Sequence, residues 1–402
     1  MTTDAESLLI LSSGSWEASV VRRNARERLE VSRLEGVFPR ARYVFFPVKE
    51  ERVREIDGSL TVHEVRGGEP PGPLARLAWL RRAWLLVTGY RRIRRVAEET
   101  GVAAVYAVDP FLSGLVGLLL SRRLGVPLAV AVVSNYRLSY RAGGVNPMPV
   151  VPAPVAFALE RWVLARAQLV LADRKFYRDY ALSRGAPRER VRIAPCYADP
   201  AFHEAEPDPG IWERLGIEDP SPVVYVGRLS PEKYSLELLE AFARIAEGSP
   251  DRHLVVLGGE GPLRGEFLTG ARARSLGERV HLREGLEPDE VFSALAGAGV
   301  VLAPHAGYAL LEAALAAAPV VAYDFEWHPE VVEDGVTGRL VPYRDPRAMA
   351  EAALELLEDP EGARALGAEA RRRCRRRYRI ERTVEELEAH FRWLLRSGGE
   401  GR

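Results

Sequence analysis

The sequence predicts an α/β protein of two doubly wound domains that face each other across a cleft. Three observations carry this expectation. Short apolar runs alternate with helical patterns through both halves of the 402-residue chain. The runs are continuously apolar rather than alternating, as in parallel strands covered on both faces. A polar, acidic, proline-rich break, DPAFHEAEPDP at 199–209, separates two rounds of the same rhythm and reads as an interdomain linker.

In the first round, LLILSS (8–13) is the opening strand, and a helix from about Glu17 to Leu34 follows. RYVFFP, VAAVYAV, PLAVAVV and AQLVLA are further strands. Helical patterns lie between them, notably LARLAWLRRAWLLVTGYRRIRRVAEE (74–99) and APVAFALERWVLARA (153–167). The longest apolar stretch, FLSGLVGLLLSRRLGVPLAVAVV, is broken by Arg122, Arg123, Gly125 and Pro127. It reads as a buried helix and a buried strand rather than a membrane span. In the second round, VVYVG, HLVVLG, VHLRE, GVVLAP and PVVAYD are strands, most of them followed by a helix. DGVTGRLV is a turn carrying Gly335 and Gly338 that leads into a final strand. Helices from about Pro346 to Leu357 and from Glu361 onward close the chain. The expected domains are 1–200 and 210–375, with a C-terminal helix over 376–402 that packs back on the first domain.

Hydrophobic residues make up 47% and charged residues 28%, the composition of an ordinary soluble globular protein. The net charge is zero, but residues 1–200 hold 31 Lys/Arg against 20 Asp/Glu, leaving 25 against 36 for the rest. A basic half joined to an acidic half suggests different partners for each. Cys196 and Cys374 are the only cysteines, which excludes a disulfide framework or a cysteine metal site; this fits a cytoplasmic protein, as it would any chain that needs no cysteine. The opening MTTDAESLLILSSGS lacks the basic start and long apolar run of a signal peptide. RRRCRRRYR (371–379) is basic, but the acidic half around it argues against a nucleic-acid surface.

The stretch with the most chemistry is VVYVGRLSPEK at 223–233. An apolar run ends in Gly227, a loop carries Arg228 and Lys233, and a helical pattern follows. A strand that runs through a loop into a helix is where α/β proteins bind phosphate. Arg offers a planar fork of donors and Lys a mobile point charge, so the two can share one diphosphate. Two ordinary solvated charges are the alternative.

Together with the GEGPLR loop after HLVVLG, LLEAALAAAPVVAY and PEVVEDGVTGRLVPYRDP, this stretch resembles the family 4 retaining, nucleotide-sugar-dependent glycosyltransferases. The order and spacing of these pieces match over roughly 160–360, whereas the first 150 residues match in pattern alone. The resemblance implies the GT-B architecture of two Rossmann-like domains, with a donor site in the second and an acceptor site in the first. It implies that Arg228 and Lys233 neutralise the donor diphosphate and act in catalysis. Glu312 matches the second glutamate of the family's E-x7-E motif, which binds the ribose hydroxyls. Gly227, Gly259, His305, Gly307, Tyr308, Ala309 and Leu310 complete the expected donor site, with backbone N–H groups at the start of the helix offered to phosphate. A capping or solvated helix glutamate is the alternative for Glu312.

Two departures stand out against that resemblance. Pro304 occupies the position of the first glutamate, and PHAGYAL replaces the usual run, which makes His305 the nearest polar side chain. Many members carry histidines at the ends of the fourth and fifth strands, where this chain has Tyr106, Val108 and Val133. Asp109, Ser134, Asn135 and Tyr136 are the polar groups at those ends, and Ser13 and Gly14 follow the first strand. These six are the acceptor-side candidates. A plain turn is the rival at Ser13 and Gly14.

The helix at 74–99 sets Trp79, Trp84, Leu80, Leu86 and Tyr90 beside seven arginines. Such a segment suits an anionic membrane surface, so a peripheral position at the inner face of a membrane is expected. A half-buried domain helix with a solvated arginine face is the alternative. The function expected from all this is retaining hexosyl transfer from a nucleotide diphosphate sugar to a glycan, lipid-linked or small-molecule acceptor. Cell-envelope polysaccharide or glycolipid synthesis is the setting that the resemblance suggests. No D-x-D pair ends a strand in the second half, so no cofactor and no metal are expected. A front-face mechanism, implied by the family, needs no side-chain nucleophile. The alternatives are a nucleotide-sugar epimerase of similar shape and a binding protein that has lost catalysis.

Overall fold

The computed structural model describes residues 7–14, 34–68, 78–143, 146–194 and 196–397. The chain divides into two units, Met1–Cys196 with Ile380–Arg402, and Tyr197–Arg379. Each is built on one predominantly parallel sheet.

The sheet of the first unit has eight strands. They are β1 (Ser7–Ser12), β2 (Arg40–Phe45), β3 (Arg52–Glu55), β4 (Leu60–Glu64), β5 (Val102–Ala107), β6 (Leu128–Val132), β7 (Leu169–Ala172) and β8 (Val191–Ile193). Their order is β3-β4-β2-β1-β5-β6-β7-β8. All neighbours are parallel except β3 and β4, which run antiparallel at the edge. Every residue of β1 is buried, as its continuous apolar sequence requires. The β3–β4 hairpin and β8 are absent from the expected strands. RVRE in β3 is charged and almost wholly exposed, so no apolar run announces it. Charge on an edge strand discourages pairing with other chains.

The helix expected from Glu17 to Leu34 lies outside the described residues except for Leu34, which is buried. The helix expected over 74–99 is described as Ala78–Glu99. Ile93 and Ala97 are buried, while Trp84, Val87, Arg91 and Arg95 are exposed. Those exposed positions recur at the spacing of one helical face.

The sheet of the second unit comprises β9 (Val223–Gly227), β10 (Leu254–Gly258), β11 (Val280–Arg283), β12 (Val300–Ala303), β13 (Val320–Tyr323) and β14 (Arg339–Val341). Their order is β11-β10-β9-β12-β13-β14, all parallel. Tyr225, Phe242, Phe267, Leu302, Tyr323 and Met349 are among the fully buried residues of its core.

The segment at 199–209 is no free linker. Asp199 accepts from the Ala201 N–H at 2.9 Å and caps a short helix, Pro200–Glu204. Asp at the cap with Pro at the first helical position is a helix-start signal. Phe202 from this helix is buried edge-on against Phe292 at 5.6 Å between ring centres, which ties the segment to the second unit. The final helical region is two helices, Pro360–Arg377 and Ile380–Ser397, interrupted at Tyr378. The first belongs to the second unit and the last to the first unit. Phe391 of the last helix is fully buried and meets Phe38 at 5.7 Å and Tyr106 at 5.5 Å, both edge-on. Among the described residues no helix is long and apolar enough to cross a membrane.

Candidate functional site

In the second unit the chain runs from β9 to β10 and β11 on one side, then returns to β12 on the other. The carboxyl ends of β9 and β12 therefore flank the topological switch point, where open α/β sheets bind ligands. At the end of β9, Gly227 has φ +148°, and a Cβ there would lie 2.9 Å from the Tyr225 hydroxyl. Its carbonyl accepts from the Gly259 N–H at 3.0 Å, and the Leu229 N–H donates to the Glu260 carbonyl at 2.8 Å. A Cβ on Gly261 would stand 2.3 Å from the Leu229 carbonyl oxygen. Glycine at these positions lets the loops after β9 and β10 close against each other.

Arg228 sits on this loop with its side chain 65% exposed and donates to Glu232 at 2.9 Å. Ser230 donates to the same carboxylate oxygen at 2.7 Å. Partial burial pushes the Glu232 carboxyl up, but the Ser230 hydroxyl, its own backbone N–H and the charges of Arg228 and Lys233 bring it below the ordinary range. An exposed pair of this kind contributes little stability, so Arg228 can exchange Glu232 for another anion at low cost. Lys233 differs. Burial lowers its pKa below that of an ordinary lysine, while Glu232 and then Glu326 oppose the shift. Its Nζ lies 4.0 Å from the position a Cβ would take on Gly307, so the two loops meet there. The next residue, Tyr234, takes a left-handed backbone with φ +53° as the chain enters the helix Ser235–Gly248. A non-glycine residue pays about 1–2 kcal/mol for that conformation. Tyr234 is held by a hydroxyl contact to Tyr343 at 2.6 Å, and the Arg344 guanidinium lies 5.5 Å from its ring centre.

The loop after β12 is organised by two histidines. His328 is fully buried, and its Nδ1–H donates to the Tyr323 carbonyl at 2.9 Å. Its Nε2 accepts from the Ala306 N–H at 3.2 Å. Burial, reinforced by His305, pushes His328 down to about 4, so its imidazole is neutral near pH 7. His305 donates from Nδ1 to the Glu232 carbonyl at 2.5 Å, and its Nε2 lies 3.6 Å from Glu326. Tyr308 is exposed and opens the short helix Ala309–Leu315, in whose first turn Glu312 is half-buried.

The expected donor residues Gly227, Arg228, Lys233, Gly259, His305 and Gly307 thus stand on the three loops that follow β9, β10 and β12. Leu310 is placed differently from its expected role. Its side chain is buried and its N–H donates to the Gly307 carbonyl at 3.1 Å, which makes it a packing residue in this structure. Tyr234, Glu326 and His328 escaped the sequence reading. Their partners come from other strands, and no spacing in the chain announces them.

In the first unit the switch point lies between β1 and β5. Ser13 follows β1 and donates to Asp109 after β5 at 2.9 Å. Ser113 donates to the same carboxylate oxygen at 2.6 Å, and the Phe111 N–H to the other at 2.8 Å. Gly14 adjoins this cluster with φ +116°. Asn135 accepts from the Leu138 N–H at 3.1 Å at the start of the helix Tyr136–Gly143, and Ser134 lies 3.3 Å from Ser139. Tyr136 is not available in this structure as an acceptor-side group. Its hydroxyl is buried, its ring packs edge-on against Phe111 at 4.9 Å, and burial with nearby Asp109 raises its pKa well above that of an ordinary tyrosine.

The family described as "Glycosyl transferase 4-like domain" matches residues 13–196, and "Glycosyl transferases group 1" matches 211–373. The alpha-D-kanosaminyltransferase of Streptomyces kanamyceticus is 31% identical over 279 residues, covering 67% of this chain and 69% of that protein. The alpha-maltose-1-phosphate synthase of Mycolicibacterium smegmatis is 30% identical over 306 residues, covering 69% and 76%. Among solved structures, sucrose-phosphate synthase from Thermosynechococcus elongatus superposes with a TM-score of 0.78 at 19% identity, covering 98% of this chain and 100% of that one. Anabaena HepE, solved in complex with UDP, gives 0.71 at 18% identity, covering 96% and 98%. The chain therefore belongs to the family 4 glycosyltransferases, enzymes of the GT-B fold.

Proposed function

We propose that this glycosyltransferase takes its sugar from a nucleoside diphosphate donor and transfers it with retention to a hydroxyl of a glycan, lipid-linked or small-molecule acceptor. One observation carries the reading. Lys233 reaches Gly307 at the junction of β9 and β12, with Arg228 on the same loop. Two cations at a switch point suit a diphosphate, and negative charge grows on that group as the glycosidic bond breaks. HepE, solved with UDP and with UDP-glucose, supports the donor class.

In this reading the C1–O bond to the β-phosphate breaks, and a C1–O bond to the acceptor forms on the same face. The acceptor proton passes to the departing phosphate. Arg228 and Lys233 stabilise the leaving group without a metal, and Glu312 accepts from the ribose hydroxyls. Ser13, Gly14 and Asp109 form the acceptor-side group. The experiment is calorimetric titration of UDP, GDP and dTDP into the wild type, Arg228→Ala and Lys233→Ala. Loss of one charge-assisted contact should weaken binding by about 1.5–3 kcal/mol. Equal affinity in all three proteins would remove the central claim.

A further inference from the structure

We infer that His305 and Glu326 form a positioning pair for Lys233: the imidazole clamps the peptide that carries the lysine, and the carboxylate aligns the imidazole and supplies counter-charge to the ammonium. The inference rests on the reading that Lys233 binds the donor diphosphate.

The geometry is a chain of three links. A carbonyl oxygen accepts and never donates, so the 2.5 Å contact between His305 Nδ1 and the Glu232 carbonyl fixes the hydrogen on Nδ1. That carbonyl belongs to the peptide joining Glu232 to Lys233, so His305 holds the lysine's own backbone. With Nδ1 so bound, Nε2 lies 3.6 Å from Glu326, and the two attract as an ion pair when the ring holds a proton on both nitrogens. Glu326 is well placed for this because its side chain is 4% exposed and its backbone is left-handed at φ +50°. An uncommon backbone conformation for a glutamate persists where surrounding structure over-determines it. Ring contacts fix the imidazole plane further, with Phe325 at 5.4 Å, Tyr234 at 5.9 Å and His328 at 6.1 Å between ring centres.

The pair also answers a chemical need. A lysine withdrawn from water favours its neutral form, and a neutral amine is a poor diphosphate ligand. The charged groups that act on Lys233 are Glu232 and Arg228 on its own loop and Glu326 from the loop after β13. Glu232 is already engaged by Arg228 and Ser230. Glu326 acts on the ammonium from the loop after β13, beside the imidazole that holds the lysine's peptide. Pro304 leaves the loop after β12 without a carboxylate at that position, and Glu326 brings one to the same loop from the neighbouring strand.

The test uses the full chain with Glu326→Gln, His305→Leu and His305→Asn. The Asn amide can donate to the Glu232 carbonyl in place of Nδ1–H, whereas Leu cannot. UDP, GDP and dTDP affinities are measured across alkaline pH. In parallel, the titration of the Lys233 amine is read without ligand by competitive acylation and mass spectrometry. The protonated lysine binds, so affinity holds below the Lys233 pKa and falls as pH rises through it. Glu326→Gln should move both the affinity loss and the Lys233 labelling to lower pH. His305→Leu should weaken binding about tenfold at neutral pH. His305→Asn should restore affinity to within about twofold of wild type. Equal weakness in His305→Leu and His305→Asn, or an unmoved Lys233 titration in Glu326→Gln, would overturn the inference. A wild type that binds none of the three nucleotides would instead defeat the donor reading, and the labelling result would still decide the counter-charge.

Discussion

Glu312 separates a ligand contact from a helix contact within one side chain. It lies half-buried in the first turn of the helix Ala309–Leu315, where a negative charge is favoured by the helix dipole. Losing that interaction costs about 0.3–1 kcal/mol of stability whatever else the residue does. If the carboxylate also holds the ribose hydroxyls, Glu312→Gln should weaken nucleotide binding and Glu312→Ala should weaken it further, by about 1.5–3 kcal/mol. Melting without nucleotide gives the stability change, and calorimetry gives the affinity separately. An Ala variant that binds as tightly as wild type would show that Glu312 does not hold the nucleotide. Gly307 lies beside Lys233 on the loop after β12. Among the described residues a Cβ there would meet no atom within 4 Å except Lys233 Nζ at 4.0 Å, so their packing does not demand glycine. The space beside Lys233 is what a small residue preserves.

The helix Ala78–Glu99 has an exposed face and a buried one. Trp84, Val87, Arg91 and Arg95 share one exposed face, while Ile93 and Ala97 face inward. The sequence left two readings, a face for an anionic membrane or a half-buried helix with a solvated arginine face, and the exposed face carries Trp84 beside Arg91 and Arg95. An aromatic and an aliphatic residue beside two arginines fit the boundary of an anionic bilayer. The protein should sediment with anionic vesicles at low salt and release as the Debye length shortens to about 8 Å at physiological ionic strength. Trp84→Ala with Arg91→Glu should abolish the association. Equal association with neutral and anionic vesicles, or none with either, would return this face to plain solvation. The segment at 199–209 is ordered in a way its composition does not suggest. Its polarity and prolines read as a linker, yet Asp199 and Pro200 start a helix and Phe202 finds a buried partner in Phe292. The cap signal was present in the residues. The partner that made it an anchored helix was not, because it lies far along the chain.

At the scale of the molecule, each unit has its own sheet and its own switch point. The cationic pair on the second unit's sheet is the feature from which a metal-free donor site is expected. Nucleotide binding and turnover should therefore survive EDTA, measured by calorimetry and by release of nucleoside diphosphate. A strict requirement for magnesium or manganese would show that the donor charge is balanced in another way.

Continuous apolar runs such as LLILS and LVVLG were sufficient for buried parallel strands, because only a strand covered on both faces lacks polar alternation. That Gly227, Arg228 and Lys233 stand together was legible for a simpler reason: they lie within one short loop, so the chain itself guarantees their proximity. The edge strand β3 was not legible because it is charged and exposed, and β4, LTVHE, alternates over five residues with no continuous apolar run. Nor were the roles of His328 and Glu326. Their partners, Ala306 and His305, stand on the loop after another strand, and only the pairing of β12 with β13 brings those loops together. Tyr136 shows the same limit from the opposite side, since its position after β6 suggested an open strand end and its rotamer buried the hydroxyl against the unit's own aromatics. Local chemistry is written in consecutive residues, whereas the hydrogen-bond partner of a buried side chain is decided by which strands lie side by side.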